Sequence, residues 1–129
     1  MDKAGLKNII PQVVSIKKKL SLFSDYWNPK ILGELNGQEI KVVKLKGEFV
    51  WHYHENTEEL FLVIKGSLII HFRNKDIPLN KGEFVIIPKM IEHKPEAKKE
   101  VHIILIESKG TVNTGNVKSK HTVAKQKKI

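Results

Sequence analysis

The 129-residue chain contains no cysteine, which removes disulfides, thiolate metal sites and a cysteine nucleophile from its chemistry. Arginine is almost missing as well. Of 23 basic residues only Arg73 carries the guanidinium fork that suits base edges and phosphates. The net charge of +9 is also unevenly placed, because residues 108–129 hold six lysines and no acid. That leaves 17 basic against 14 acidic residues, or +3, for the rest. The basic tail has no aromatic residue, and Lys17–Lys19 stand alone, so specific nucleic-acid recognition is not expected. Long apolar runs are absent too. The longest, Leu60–Ile64, falls far short of the roughly 20 residues of a membrane-spanning helix. MDKAGLKNII has no continuous apolar stretch after its first lysine, so no cleaved signal peptide is expected. The expectation is a cytoplasmic protein with no membrane association.

Helical periodicity is missing after residue 30, which excludes a βαβ architecture. What stands there instead is a series of short apolar runs separated by turn signals. Asn36-Gly37 is the strongest hairpin signal, because both central residues of a type I′ turn need positive φ. Lys46-Gly47, Lys65-Gly66, Arg73–Asp76 and Asn80–Gly82 mark further turns. Strands are expected near 38–46, 48–54, 59–65, 67–73, 83–87 and 100–107 in an all-β antiparallel sandwich, jelly roll or small barrel. Residues 1–29 read as an N-terminal arm. Leu6, Ile9 and Ile10 can form an apolar stripe before Pro11, and Val13, Val14, Ile16 and Leu20 suit a helical turn or a strap on the body. Residues 109–129 read as a polar tail with mobile last residues, although its TVNT stretch can pack as an extended arm.

The chemistry concentrates in Gly47–Gly66, GEFVWHYHENTEELFLVIKG. On a strand, His52 and His54 point to the same side and can grip one ion. A hairpin returns Glu59 beside them, and His93 follows another glycine-initiated strand, Gly82–Pro88. Three neutral imidazoles and a carboxylate suit Mn, Fe, Co, Ni or Zn, whereas Mg or Ca would want more oxygens. Glu58 is the alternative carboxylate. Glu59 is preferred because it shares parity with Phe61 and Val63. His71 alternates against Leu68, Ile70 and Phe72 and should face outward; His102 is undetermined; His121 is expected to be inert in the tail.

These spacings resemble the cupin superfamily. Gly47, His52, His54, Glu59 and Gly66 follow its first motif, with one residue fewer between Gly47 and His52. Gly82, Pro88 and His93 follow the second, but Met90 replaces a glycine and Ala97 an asparagine. Met90 cannot take glycine's φ > 0 cheaply, so that turn should be altered or strained. The resemblance covers residues 30–108 and implies a double-stranded β-helix, the cupin jelly-roll barrel. It also implies a divalent transition metal inside it, ligated by His52, His54, Glu59 and His93. Activities in the family include isomerases, dioxygenases, decarboxylases and lyases acting on small oxygenated or anionic metabolites. Fold resemblance does not choose among them, and a non-catalytic module that binds or senses a small molecule stays open. Glu58 and His102 are the remaining candidates for proton transfer.

One more pattern concerns assembly. Leu60, Leu62 and Ile64 alternate with Glu59, Phe61 and Val63, so both faces of this strand are apolar, and Trp51 and Tyr53 point away from the histidine pair. A barrel has no second layer to cover such a face. The N-terminal arm or a second subunit must do so, and a homodimer is expected.

Overall fold

In a computed structural model, residues 9–129 are described. One five-residue helix, α1 (Ile16–Leu20), precedes eight strands: β1 (Lys30–Leu35), β2 (Gln38–Glu48), β3 (Glu59–Lys65), β4 (Ser67–Phe72), β5 (Lys75–Asn80), β6 (Phe84–Ile87), β7 (His93–Ser108) and β8 (Lys127–Lys128). Ser15 caps α1, its hydroxyl accepting the Lys18 N–H at 3.2 Å. Leu6, from the apolar stripe, lies outside the described residues.

The 16-residue β7 organises the fold. One edge pairs with β2 from Ser108 back to Glu96. The opposite edge takes β3 on residues 102–107 and β4 on residues 93–96. The sheet therefore forks. One wall continues from β3 to β6, the other from β4 to β5, and β1 and β8 extend the β2 side. This is the double-stranded β-helix of the jelly-roll barrel. Its interior is filled by residues of one parity, such as Val43, Leu45, Phe61, Val63, Ile103 and Leu105, all buried.

The strand at 48–54 does not form. The chain still runs beside β7, with Phe49 N–H donating to Pro95 O at 3.0 Å, but Pro95 has no N–H to return and the ladder lapses. It resumes for a single bridge between His52 and His93. Proline also hid β5, whose Pro78 is tolerated because β5 is an edge strand paired only with β4. β7 begins seven residues before the expected strand near 100. His93, Pro95 and Ala97 alternate inward against half-exposed Lys94 and Glu96.

Two further expectations are corrected. The chain end is not loose: Lys127 and Lys128 pair in parallel with Lys30 and Ile31, and Thr114 is fully buried. The outer row of Leu60, Leu62 and Ile64 is half-buried, and Trp51 carries the Arg73 guanidinium 3.9 Å from its ring centre. The exposed apolar residues of that face lie one strand further out, at Phe84 and Ile86, paired with Leu62 and Leu60. Val13, Val14 and Ile16 of the arm are themselves exposed.

As expected, His71 faces outward. On β4 it ties β5 to β7, with Nδ1 2.7 Å from Asp76 Oδ1 and Nε2 2.8 Å from Glu96 Oε1. Hydrogen bonds to Glu96 and then Asp76 raise its pKa above the ordinary imidazole value. The stabilisation is therefore full below the unfolded-state pKa of about 6.5 and is lost as pH rises through the higher folded value. Urea midpoints of wild type and His71→Gln should differ most near about pH 5.5 and converge in alkaline buffer. A gap that widens with pH would contradict this reading.

Candidate metal centre

The bridge between His52 and His93 builds the site from the backbone outward. His52 N–H donates to His93 O at 3.1 Å and His93 N–H to His52 O at 2.9 Å. Glu59, the first residue of β3, is in register with Glu107 near the other end of β7 and with Ile87 of β6, and His54 follows two residues after His52. All four side chains are buried, and one ligating atom from each lies within 4.8 Å of the others. Glu58 is exposed, so the strand parity that favoured Glu59 holds.

The imidazoles are oriented for the same task. His52 Nδ1 lies 2.9 Å from Val50 O and His93 Nδ1 2.9 Å from Ile91 O. A carbonyl only accepts, so Nδ1 carries the proton in both rings and Nε2 keeps its lone pair. His93 Nε2 lies 3.2 Å from Glu59 Oε1, and His54 Nε2 3.2 Å from Glu59 Oε2. The second contact is poorly aligned, which leaves His54 Nε2 buried without a hydrogen-bond partner among the described residues. A cation held among the four would supply the missing partner. The donor set, three nitrogens and a carboxylate, fits a divalent transition metal.

Electrostatics agree. Burial, followed by the neighbouring His93, lowers the His52 pKa to about 4, so the ring is neutral at physiological pH. Burial alone would raise Glu59, but the adjoining His54 and His93 rings outweigh it and hold the carboxylate well below its ordinary range. Both states are those a metal ligand needs.

Beside the cluster lies a charged group that sequence reading missed. Glu107, opposite Glu59 on β7, is pushed well above the ordinary carboxyl value by burial and by the Glu59 charge. Lys41, fully buried, opposes that shift from 2.8 Å, and Glu39 lies 3.8 Å from the same ammonium. The available signal was parity: Glu39 and Lys41 alternate in phase with inward Val43 and Leu45. The other sequence candidates stay outside the cluster. His102 bonds Glu100, whose second oxygen accepts the Tyr26 hydroxyl. His121 is not loose: its ring centre packs 5.3 Å from that of Phe49, and burial followed by the Lys120 charge lowers its pKa.

Two cavities adjoin the centre. The inner one, about 30 Å3, touches His52 and Glu59 among Val43, Leu45, Phe61 and Leu105. The stacked rings of Trp27 and Phe49, 4.7 Å apart, help to line it. The other, about 650 Å3, has a polar wall that includes Tyr53, His54, Thr57, Lys109 and Asn116. His54 thus belongs both to the cluster and to the wall of the larger cavity.

Residues 40–107 match the cupin domain family Cupin_2. The chain belongs to the cupin family. A crystal structure of a cupin-2 domain protein from Shewanella frigidimarina is similar, with a TM-score of 0.74 and 46% identity; the match covers 75% of this chain and 95% of that one. The uncharacterized protein YdbB of Bacillus subtilis is 29% identical over 90 residues, which cover 69% of this chain and 74% of YdbB. The 3-hydroxyanthranilate 3,4-dioxygenase of Xenopus laevis is 28% identical over 90 residues, 64% of this chain but only 32% of the dioxygenase.

Met90, where the cupin second motif has glycine, adopts φ 68°. The strain expected from sequence is present. It is held because Met90 N–H donates to His54 O at 2.8 Å, tying the turn before His93 to the histidine pair. A side chain in the left-handed region costs about 1–2 kcal/mol, and glycine's extra chain entropy offsets about 0.5–1 of the relief. Met90→Gly should therefore stabilise the protein by up to about 1 kcal/mol in urea unfolding, and Met90→Val should destabilise it. The reverse order would show that the turn stores no strain.

Proposed function

We propose that this cupin holds one Mn, Fe, Co, Ni or Zn ion on His52, His54, Glu59 and His93 and acts as a metal-dependent enzyme on a small oxygenated or anionic metabolite. The observation that carries the reading is the buried convergence of three imidazoles and one carboxylate within 4.8 Å, with His54 Nε2 lacking a hydrogen-bond partner among the described residues. A bound ion supplies Lewis acidity toward a substrate oxygen. The chain's own groups supply the rest. His52 and His93 are held in one tautomer by backbone carbonyls, and Glu59 stays ionised. Lys109, in the wall of the 650 Å3 cavity beside His54, pairs with Glu34 at 3.4 Å and would have to leave that partner to meet an anionic metabolite. The likeness to a dioxygenase supports an enzyme, but the chain spans about a third of that protein's length.

A second reading has its own observation. The inner cavity, about 30 Å3 and mostly apolar, has room for roughly one water. It leaves no space for a substrate on that side of the centre, which favours a non-catalytic module that binds or senses the metal. Purified without chelator, the protein should carry close to one transition-metal ion per chain. His54→Ala and Glu59→Gln should lower occupancy more than about ten-fold, the loss typical even of an outer-sphere partner, and Glu58→Gln should not. Equal occupancy in Glu59→Gln and wild type would refute the ligand set. Turnover in a screen of small hydroxy- and keto-acids separates the enzyme from the binding module.

The homodimer belongs to the same proposal. Phe84 and Ile86 are 60% and 50% exposed on the outer face, and Val13 of the arm is 98% exposed. At about 25 cal/mol per Å2, covering such surfaces contributes several kcal/mol, and a second copy offers both at once. Equilibrium sedimentation should return twice the 14.8 kDa chain mass, and Phe84→Lys should shift it toward monomer. A wild-type monomer at micromolar concentration would end this part of the reading.

A further inference from the structure

The C-terminal segment after β7 crosses directly over the histidine pair. Asn116 N–H donates to Tyr53 O at 3.1 Å, and Tyr53 N–H donates to Asn116 Oδ1 at 2.8 Å. Asn116 thus satisfies both main-chain polar groups of Tyr53, the residue that lies between His52 and His54. Gly115 lies against the same peptide. A Cβ there would overlap the Tyr53 carbonyl oxygen and stand 3.2 Å from His54 Nδ1, and φ is +55°. Only glycine lets the strap approach so closely.

The need for such a clamp follows from the lapsed ladder. His52 is fixed by its bridge to His93, but no strand holds Tyr53 and His54. The strap is itself well anchored. Asn113 Nδ2 donates to Trp27 O at 3.2 Å and to His121 O at 2.8 Å, while its Oδ1 accepts Val123 N–H at 2.9 Å. Thr114 Oγ1 lies 2.7 Å from Thr122 Oγ1. Asn113, Thr114, Gly115 and Asn116 all lie beyond position 107, where the cupin domain match ends.

We propose that the strap is a working part of the metal centre, with Asn116 the positioning residue that sets the His52–His54 geometry through Tyr53. The inference rests on the metal reading above. It assigns to Asn116 a role that acts through the backbone, so the acceptor oxygen, not the amide nitrogen, must matter.

The test is Co(II) titration of the full-length apo protein against a competing chelator, with the visible ligand-field spectrum recorded at saturation. Asn116→Leu removes the acceptor and should weaken Co(II) binding by about 10–100-fold, with a changed spectrum. Asn116→Asp keeps an acceptor and should restore both. Gln126→Ala loses only a strap contact to Thr111 O and should behave as wild type. If Asn116→Leu does not fold, Asn116→Ala serves in its place. Wild-type affinity and spectrum in the variant lacking the acceptor would overturn the inference. So would equal losses in Asn116→Asp, or in Gln126→Ala, because the effect would then be general strap stability. A wild-type chain that takes up no Co(II) overturns the metal reading itself, a result distinct from these.

Discussion

Two hydrogen bonds between the His52 and His93 peptides are the constraint on which the candidate site depends. They join a segment that has left the sheet to the first residue of its longest strand. Because each partner is also a site residue, the backbone pairing and the side-chain cluster are one arrangement. Glu59 joins from β3 through the register that also places Glu107 opposite it. A shift of one residue in that ladder would turn Glu59 outward and replace it with Glu58 or Leu60.

The barrel interior is divided by polarity. Phe61, Val63, Leu68 and Ile70 form a dry core, whereas Glu39, Lys41, Glu59 and Glu107 bring four ionisable groups inside the same wall. Such a set is costly to desolvate, and it persists because its members compensate one another. Lys41 reaches Glu107 and Glu39, and the histidines reach Glu59.

Much of this was legible in the sequence because strand parity and glycine turns are local properties. The inward placement of Glu59, the exposure of Glu58 and the outward direction of His71 follow from alternation, and the grouping of His52, His54 and His93 with Glu59 follows from the motif spacing that resembles the cupin pattern. The readings that failed depend on partners distant in sequence. Pro95 silences the ladder at 48–54 from across the sheet, and Pro78 is tolerated only because β5 is an edge. The polar start of β7 looked like a loop, since HKPEAKKE shows its inward residues only as His, Pro and Ala. The strap was hidden for a similar reason. Asn113 and Asn116 are ordinary loop residues until the groups they bind, on Trp27 and Tyr53, are known.

The parallel pairing of β8 with β1 has a consequence for how the protein is made. It joins Lys30 to Lys127 and so closes a loop containing most of the chain. Loop-closure entropy grows with loop length, which makes this the costliest ladder in the sheet to close, and it is only two residue pairs long. On a ribosome, β8 and the residues before it emerge after every other strand. The cup of the barrel can form around its hydrophobic interior while the chain is still being synthesised, and β8, the last strand to emerge, joins it afterwards. Assembly is therefore ordered from core to rim.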